Sequence, residues 1–262
     1  MSQSTQKLTY PIGVSIISGN EAHRIGGCLE SVSDWVSAIV VVLNEDSDDE
    51  TEQIAKSYGA QVYRHPWHGH RDQKNIALSY ITQPWILALD CDEVVSSDLK
   101  DQIQAFVSSE NNPYNGAYFP RVVWFMERWI CHGDWYPDYS LRLFRKESGK
   151  WSGVMEHDTI ELEGKSKKLN GWLHHYSFPN LDIQVEKMVF FGKLFCDREQ
   201  DNDRRYSYLH IVARAWWRFF RAYILKRGFL DGFAGYYIAK ANAFFVLYKY
   251  ARLKGEKSNS LK

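Results

Sequence analysis

The chain has 262 residues, 45% of them hydrophobic, with as many acidic as basic side chains, enough for one large domain or a domain with an appendage. The charge is unevenly spread: from Arg204 onward thirteen Lys and Arg face two acids, an excess of +11, and the preceding part carries the opposite charge. Four scattered cysteines without a CxxC argue against a zinc ribbon or a disulfide framework, no apolar run of about 18 residues predicts a membrane span, and the polar stretch Met1 to Lys7 has no signal-peptide core, so a reduced, cytoplasmic protein is expected.

Ile12–Ile17 reads as a first strand, followed by Asn20-Glu21 and a helical pattern through Ile25, Cys28, Leu29 and Val32. Ala38–Leu43 is nearly all β-branched, as a strand buried on both faces should be. It runs into an acidic loop, Asn44 to Thr51, where Ser47 or Asp48 is placed to cap a helix through about Tyr58. Strand 60–64 leads to His65-Pro66-Trp67-His68-Gly69-His70-Arg71; its Pro and Gly make a polar substrate rim the preferred reading over a metal cluster. Helix 72–82 precedes the apolar run Trp85–Leu89, which ends in Asp90-Cys91-Asp92-Glu93. Strands alternating with helices predict βαβ units and a mainly parallel α/β sheet, whose ligands bind at the carboxyl ends of the strands. A helix over 98–107 follows. Strand-like segments at 116–119, 121–125, 140–144 and 171–176 extend the sheet, and from about Pro179 the pattern is helical.

Two carboxylates at i, i+2 after a buried strand admit two chemistries. In one, Asp90 is a phosphatase nucleophile and Asp92 its acid/base, since Asp90-Cys91-Asp92-Glu93-Val94 fits the DxDx[TV] pattern of haloacid-dehalogenase-like enzymes. In the other, they hold a hard divalent cation that carries a diphosphate. Three βα units before the motif, and no evident later acidic pair, favour the second. Neither GxxxxGK[ST] nor GxGxxG is present, so a P-loop and a dinucleotide fold are not expected.

The ordered motifs resemble family 2 glycosyltransferases of the GT-A fold. Val14–Glu21 is similar to that family's opening strand and Asn-Glu, Ser47–Thr51 to its acidic turn, Gln73–Ala77 to its RN-x-A segment and Leu89–Glu93 to its D-x-D-E motif. Leu141–Arg145 and Lys226–Gly232 resemble the branch that adds hexoses to the inner core of bacterial lipopolysaccharide. The resemblance implies inverting transfer of a hexose from a nucleotide-diphosphate sugar, UDP-hexose favoured, to a saccharide or glycolipid acceptor. A non-catalytic nucleotide-sugar or glycolipid binder is the other alternative.

By position, Ser18, Asn20, Glu21, Asn44, Asp46, Arg71, Lys74 and Asp90 are expected at the donor. Asn44 stands where the family often has Asp, and Lys74 where it has Arg, which gives up bidentate phosphate binding. Asp92 and Asp90, with His175 as the resemblance suggests, are assigned to Mg²⁺ or Mn²⁺. Asp158 is the expected base and Glu156 its alternative; on a strand the two share a face. Trp67, Asp134, Trp135, Tyr136 and Arg142 are expected at the acceptor, the aromatics as a sugar platform or else as ordinary packing.

The expected division is a catalytic domain over 1–178 and a helical region over 179–262. In a predicted helix from Tyr206 to Arg227, Arg214, Arg218 and Arg221 share one face, while Val212, Trp216, Phe219, Phe220 and Tyr223 gather largely on another. That pattern fits a helix lying in a membrane interface. The acidic front and the absence of a nucleic-acid motif leave an anionic membrane as the expected partner of residues 204–262, with the protein peripheral on the inner face of the cytoplasmic membrane.

Overall fold

The computed structural model describes residues 9–153, 158–199 and 206–259. The chain forms two compact units, Met1–Arg121 with Asp138–His175, and Val122–Pro137 with Tyr176–Lys262. A linear division at 178/179 does not contain this pairing, because residues 122–137 group with the helical end of the chain.

The first unit opens with β1 (Tyr10–Ser18), α1 (Ile25–Glu30), β2 (Val36–Asn44), α2 (Thr51–Ser57), β3 (Gln61–His65), α3 (His70–Ser79) and β4 (Trp85–Leu89). It continues with β5 (Glu93–Val95), α4 (Ser97–Ser108) and β6 (Gly116–Phe125), whose last residues belong to the second unit. The sheet order is β3-β2-β1-β4-β8-β6-β12-β5, with β8 (Asp138–Arg145) and β12 (Leu173–His175) completing it and β11 (Ser166–Lys168) alongside β6. β1 to β4 are mutually parallel, and β8 joins β4 antiparallel. The segments expected at 116–119 and 121–125 are one strand: Pro120 lies opposite Tyr139 without ending it. A separate hairpin pairs β9 (Gly149–Ser152) with β10 (Thr159–Leu162).

The apolar runs are explained by cover on both faces. Ile12, Val14, Ile16, Ile39, Val41, Leu87 and Leu89 pack with Leu29 of α1 and Leu99, Ile103 and Phe106 of α4. The alternate positions Ile17, Val40, Val42, Ile86 and Ala88 pack with Ala77 and Leu78 of α3 and with Trp151. Period-two alternation thus divides one hydrophobic run between two cores. At Gly13 an added Cβ would stand 2.3 Å from the Ile81 side chain, so this position admits only glycine if the end of α3 is to lie flat on β1.

In the second unit β6 turns into β7 (Arg128–Ile130) through Met126 and Glu127, both at positive φ (48° and 59°), as a two-residue hairpin of the primed type requires. Helices α5 (Leu181–Glu199), α6 (Tyr208–Phe220) and α7 (Gly232–Asn259) follow. Val123, Phe125 and Ile130 form a core with Ala234 and Ile238 of α7. The single helix expected over 206–227 ends at Phe220 and continues as a π-helical segment, Arg221–Leu225, closed by Lys226 N–H donating to the Arg221 carbonyl (2.8 Å). The chain then reverses tightly. Arg227 takes φ 56°, and a Cβ on Gly228 would meet the Ala222 carbonyl at 2.7 Å. No helix among the described residues is long and apolar enough to cross a membrane.

Candidate active site

The strand order fixes where a ligand can sit. The chain leaves β1 toward β2 and β3, then returns to β4 on the other side of β1, so a crevice opens at the carboxyl ends of β1 and β4. Ser18 closes β1 there, buried, with the Cys91 Sγ 3.3 Å from its Oγ. Burial pushes the Cys91 thiol up to about 12, so it is a protonated joint between the strand ends and not a nucleophile. Asn20 Nδ2 donates to Asp48 Oδ1 (2.7 Å) and Asn20 Oδ1 accepts from Asp48 N–H (3.1 Å). Neither Ser47 nor Asp48 caps α2. Asp48 is spent on Asn20, and Asp49 takes the backbone N–H groups of Ala22 and Thr51 (3.0 Å each). Glu21 is gripped by the fork of Arg24 at 2.6 and 2.7 Å. Asn44 is the last residue of β2, and its Oδ1 accepts the Asp46 N–H at 3.5 Å.

At the end of β4 the two aspartates have different company. Arg142 on β8, 5% exposed, donates from one nitrogen to Asp90 Oδ2 (2.6 Å) and to Glu93 Oε1 (2.5 Å). Lys74 of α3 lies 3.3 Å from Asp90 Oδ1, and Glu93 Oε2 accepts the Asp90 N–H (3.0 Å). Arg121 lies 3.5 Å from the fully buried Glu93. Asp92 faces His175 Nε2 (3.5 Å) and Arg24 Nη1 (3.6 Å). The register that sets His175 opposite Glu93 in the β12–β5 pair brings the imidazole there. Burial works to raise both carboxyls. At Asp90 it is outweighed by the charges of Arg142 and Lys74, which hold the carboxyl well below its ordinary value. At Asp92 the hydrogen bonding and charge of His175, helped by Arg24, hold it below.

α3 carries the other flank. The Lys74 ammonium sits 4.2 Å over the Trp151 ring, and Asn75 bonds the Trp151 backbone in both directions (3.0 Å each). Arg71 Nη1 donates to the Gly153 carbonyl (3.3 Å), so the start of α3 meets the end of β9. Asp158 lies just before β10, and its Oδ1 is buried with no hydrogen-bond partner among the described residues. Glu156 lies outside the described residues.

The positions expected at the acceptor scatter. Trp67 is exposed, edge-on to His70. Arg142 is not an outward-facing acceptor contact; it is buried because two carboxylates need it. In the second unit, Asp134 is 1% exposed among Arg218, Arg221 and Lys226, and Trp135 stacks on Phe178 with its ring edge-on to Phe125, so both are committed to packing. Tyr136 precedes a cis proline, Pro137. Missed by the sequence reading are Glu93 as the buried partner of Arg142, Arg24 beside Asp92, and Trp151 under Lys74. Their partners are distant in sequence, and only the i+1 position of Glu93 gave a hint.

Among the described residues no group of three or more His, Cys, Asp or Glu side chains is gathered to hold a metal ion. Asp92 and His175 are a pair, and Asp90 is taken by its two cations. A hard octahedral cation commonly takes one or two carboxylates from the protein and the rest from water and phosphate, so the pair fits a site that substrate completes.

The chain was compared with known proteins. Residues 14–160 match the model of glycosyl transferase family 2. An uncharacterized glycosyltransferase, RP128 of Rickettsia prowazekii (strain Madrid E), is 30% identical over 93% of this chain and 86% of its own length. The lipopolysaccharide core biosynthesis glycosyltransferase LpsC of Rhizobium meliloti (strain 1021) is 24% identical over 93% and 92%. Among solved structures, S. aureus TarS 1-349 in complex with UDP-GlcNAc is similar over 93% of this chain and 83% of that chain, at 13% identity and a TM-score of 0.47. The phosphatase reading of Asp90 and Asp92 falls with the family match, which spans the motif, and the chain belongs to glycosyl transferase family 2.

Proposed function

We propose that the protein is a metal-dependent, inverting hexosyltransferase that moves a hexose from a nucleotide-diphosphate sugar, UDP-hexose favoured, to a saccharide or glycolipid acceptor of the lipopolysaccharide core. The observation that carries the reading is the split between the two aspartates. Asp90 is fixed by Arg142 and Lys74, at 2.6 and 3.3 Å, while Asp92 turns to His175 at the crevice, with the imidazole at 3.5 Å and the Arg24 guanidinium at 3.6 Å. The core acceptor is supported by the likeness to LpsC.

Asp92 and His175 would hold Mg²⁺ or Mn²⁺. When bound, such a cation supplies charge for the departing diphosphate. Lys74, aligned by Asp90 and Trp151, adds positive charge on the same side. Asp90 presents its carboxylate to ribose or sugar hydroxyls, its position set by Arg142. Asp158 accepts the proton of the acceptor hydroxyl as that oxygen attacks the anomeric carbon and the bond to the diphosphate breaks; one attack on one face inverts the centre. Its buried oxygen, without a hydrogen-bond partner among the described residues, supports this role, and Glu156 is the alternative base. Trp67, exposed on the first unit, offers its ring to a sugar of the acceptor. The second unit, with the basic and aromatic residues of 204–262, meets an anionic membrane from the cytoplasmic side.

Thermal-shift screening of nucleoside diphosphates and nucleotide sugars, with Mn²⁺ and with chelator, tests the donor reading. A ligand at a hundred times its Kd adds about 2.7 kcal/mol. A shift with a UDP-sugar that needs Mn²⁺ is expected. No shift with any nucleotide sugar contradicts the proposal.

A further inference from the structure

The second unit holds a charge arrangement that transfer of a hexose does not require. Asp134 sits in the 3-10 turn Gly133–Trp135, its side chain 1% exposed. Three cations converge on it: Arg218 Nε at 2.7 Å, Arg221 Nη2 at 2.7 Å and Lys226 Nζ at 3.1 Å. Three positive charges on one carboxylate leave an excess of two. The Arg218, Arg221 and Lys226 side chains are 41%, 34% and 40% exposed, so each keeps part of its surface open to solvent. An uncompensated pair of guanidinium groups and an ammonium, already held in place, is the donor set that a phosphate takes.

The backbone is shaped to make this cluster. The π-helical segment Arg221–Leu225 sets Lys226 one wide turn beyond Arg221, with Lys226 N–H on the Arg221 carbonyl, so that both side chains reach the same carboxylate oxygen. Such segments are rare and concentrate at functional sites.

The neighbouring surface says where the phosphate comes from. On α6, Ile211 and Ala215 are buried, while Trp217, 53% exposed, precedes Arg221 by one turn on the same side of the helix. The Trp217 ring meets Phe220 at 6.0 Å, and in the π-helical segment that follows Ile224 and Leu225 are 43% and 55% exposed. Exposed aromatic and aliphatic side chains next to basic residues are the pattern of a segment that lies in a bilayer interface.

We propose that Arg218, Arg221 and Lys226, gathered by Asp134, form a phosphate site for the headgroup of a membrane lipid, with Trp217 set in the interface beside it. This rests on the reading that the second unit meets an anionic membrane, and it gives that reading a specific contact in place of diffuse charge.

The test is flotation of the full chain with vesicles of phosphatidylcholine alone or mixed with phosphatidylglycerol. Arg218→Gln, which leaves Arg221 and Lys226 on Asp134, weakens binding to the anionic vesicles about fivefold, the worth of one basic residue near such a surface, and leaves binding to phosphatidylcholine unchanged. Arg218→Lys retains most of the binding. Trp217→Ser weakens binding to both vesicle types, and Lys150→Gln, in the first unit, changes neither. If the wild type floats with neither vesicle, the membrane reading itself is wrong. If the wild type floats with anionic vesicles and Arg218→Gln floats equally well, the phosphate site alone is overturned. Stabilisation by inorganic phosphate that Arg218→Gln abolishes, with flotation unchanged, would assign the cluster to a soluble phosphate and overturn the lipid assignment.

Discussion

Two ion clusters, one in each unit, solve the problem of a buried carboxylate in opposite ways. Around Asp90, Asp92 and Glu93 stand Arg142, Lys74, Arg24 and Arg121, of which Arg24 is shared with Glu21 and Arg121 with Asp138, so no cation is in excess, and the arginine at the centre is buried. Around Asp134 the cations outnumber the carboxylate and stay half in solvent. In the matched cluster Arg142 holds the geometry of Asp90 and Glu93, and Asp92 with His175 stands at its edge. The unmatched cluster is finished only by something from outside. Balance marks a positioning device, and imbalance marks a place where a charged partner completes the fold.

The largest difference between the two should appear in stability. Arg142→Met leaves Asp90 and Glu93 in a buried site without their main cation, and loss of about 3–5 kcal/mol in urea unfolding is expected. An unchanged midpoint would mean that water enters the cluster and that its match is incidental. The proposed base comes next. Asp158→Asn should lower turnover about a hundredfold, the lower end of what a general base supplies, with donor Kd unchanged by calorimetry. If turnover is kept and Glu156→Gln loses it, the base is misassigned. The same chemical change in the unmatched cluster should be mild. Arg218→Met leaves two cations on Asp134, so unfolding should shift by about 1 kcal/mol or less, as for a partly exposed pair. A loss as large as at Arg142 would erase the contrast.

How much of this was legible depended on sequence distance. β1, β2 and β4 were readable because a strand covered on both faces must be apolar throughout, and Asp90 and Asp92 stood out as charges ending such a run. The acidic loop was readable as a loop but not in detail. A cap on α2 was assigned to Ser47 or Asp48 by spacing, whereas Asp48 bonds to Asn20, 28 positions earlier. Arg142 was misplaced for the same reason, since its partners lie 52 and 49 positions away and nothing local distinguishes an arginine that faces a sugar from one buried on carboxylates. Periodicity found the basic and aromatic faces of α6, but not the π-helical segment that follows or the grouping of residues 122–137 with the helices. Both depend on tight approaches of backbone, as at Gly228, that leave only a lone glycine in the sequence.

The central claim is that the paired Asp92 and His175, and not the fixed Asp90 alone, make the carboxyl edge of the first unit a transfer centre. Product formation from a UDP-hexose and a lipopolysaccharide-core acceptor in Mn²⁺, compared between wild type and Asp92→Ala at equal folded concentration, tests it most directly. The account predicts a fall of at least about a hundredfold, corresponding to about 2.7 kcal/mol of lost transition-state stabilisation, with the melting temperature retained. An Asp92→Ala enzyme that keeps more than about a tenth of wild-type activity would contradict it.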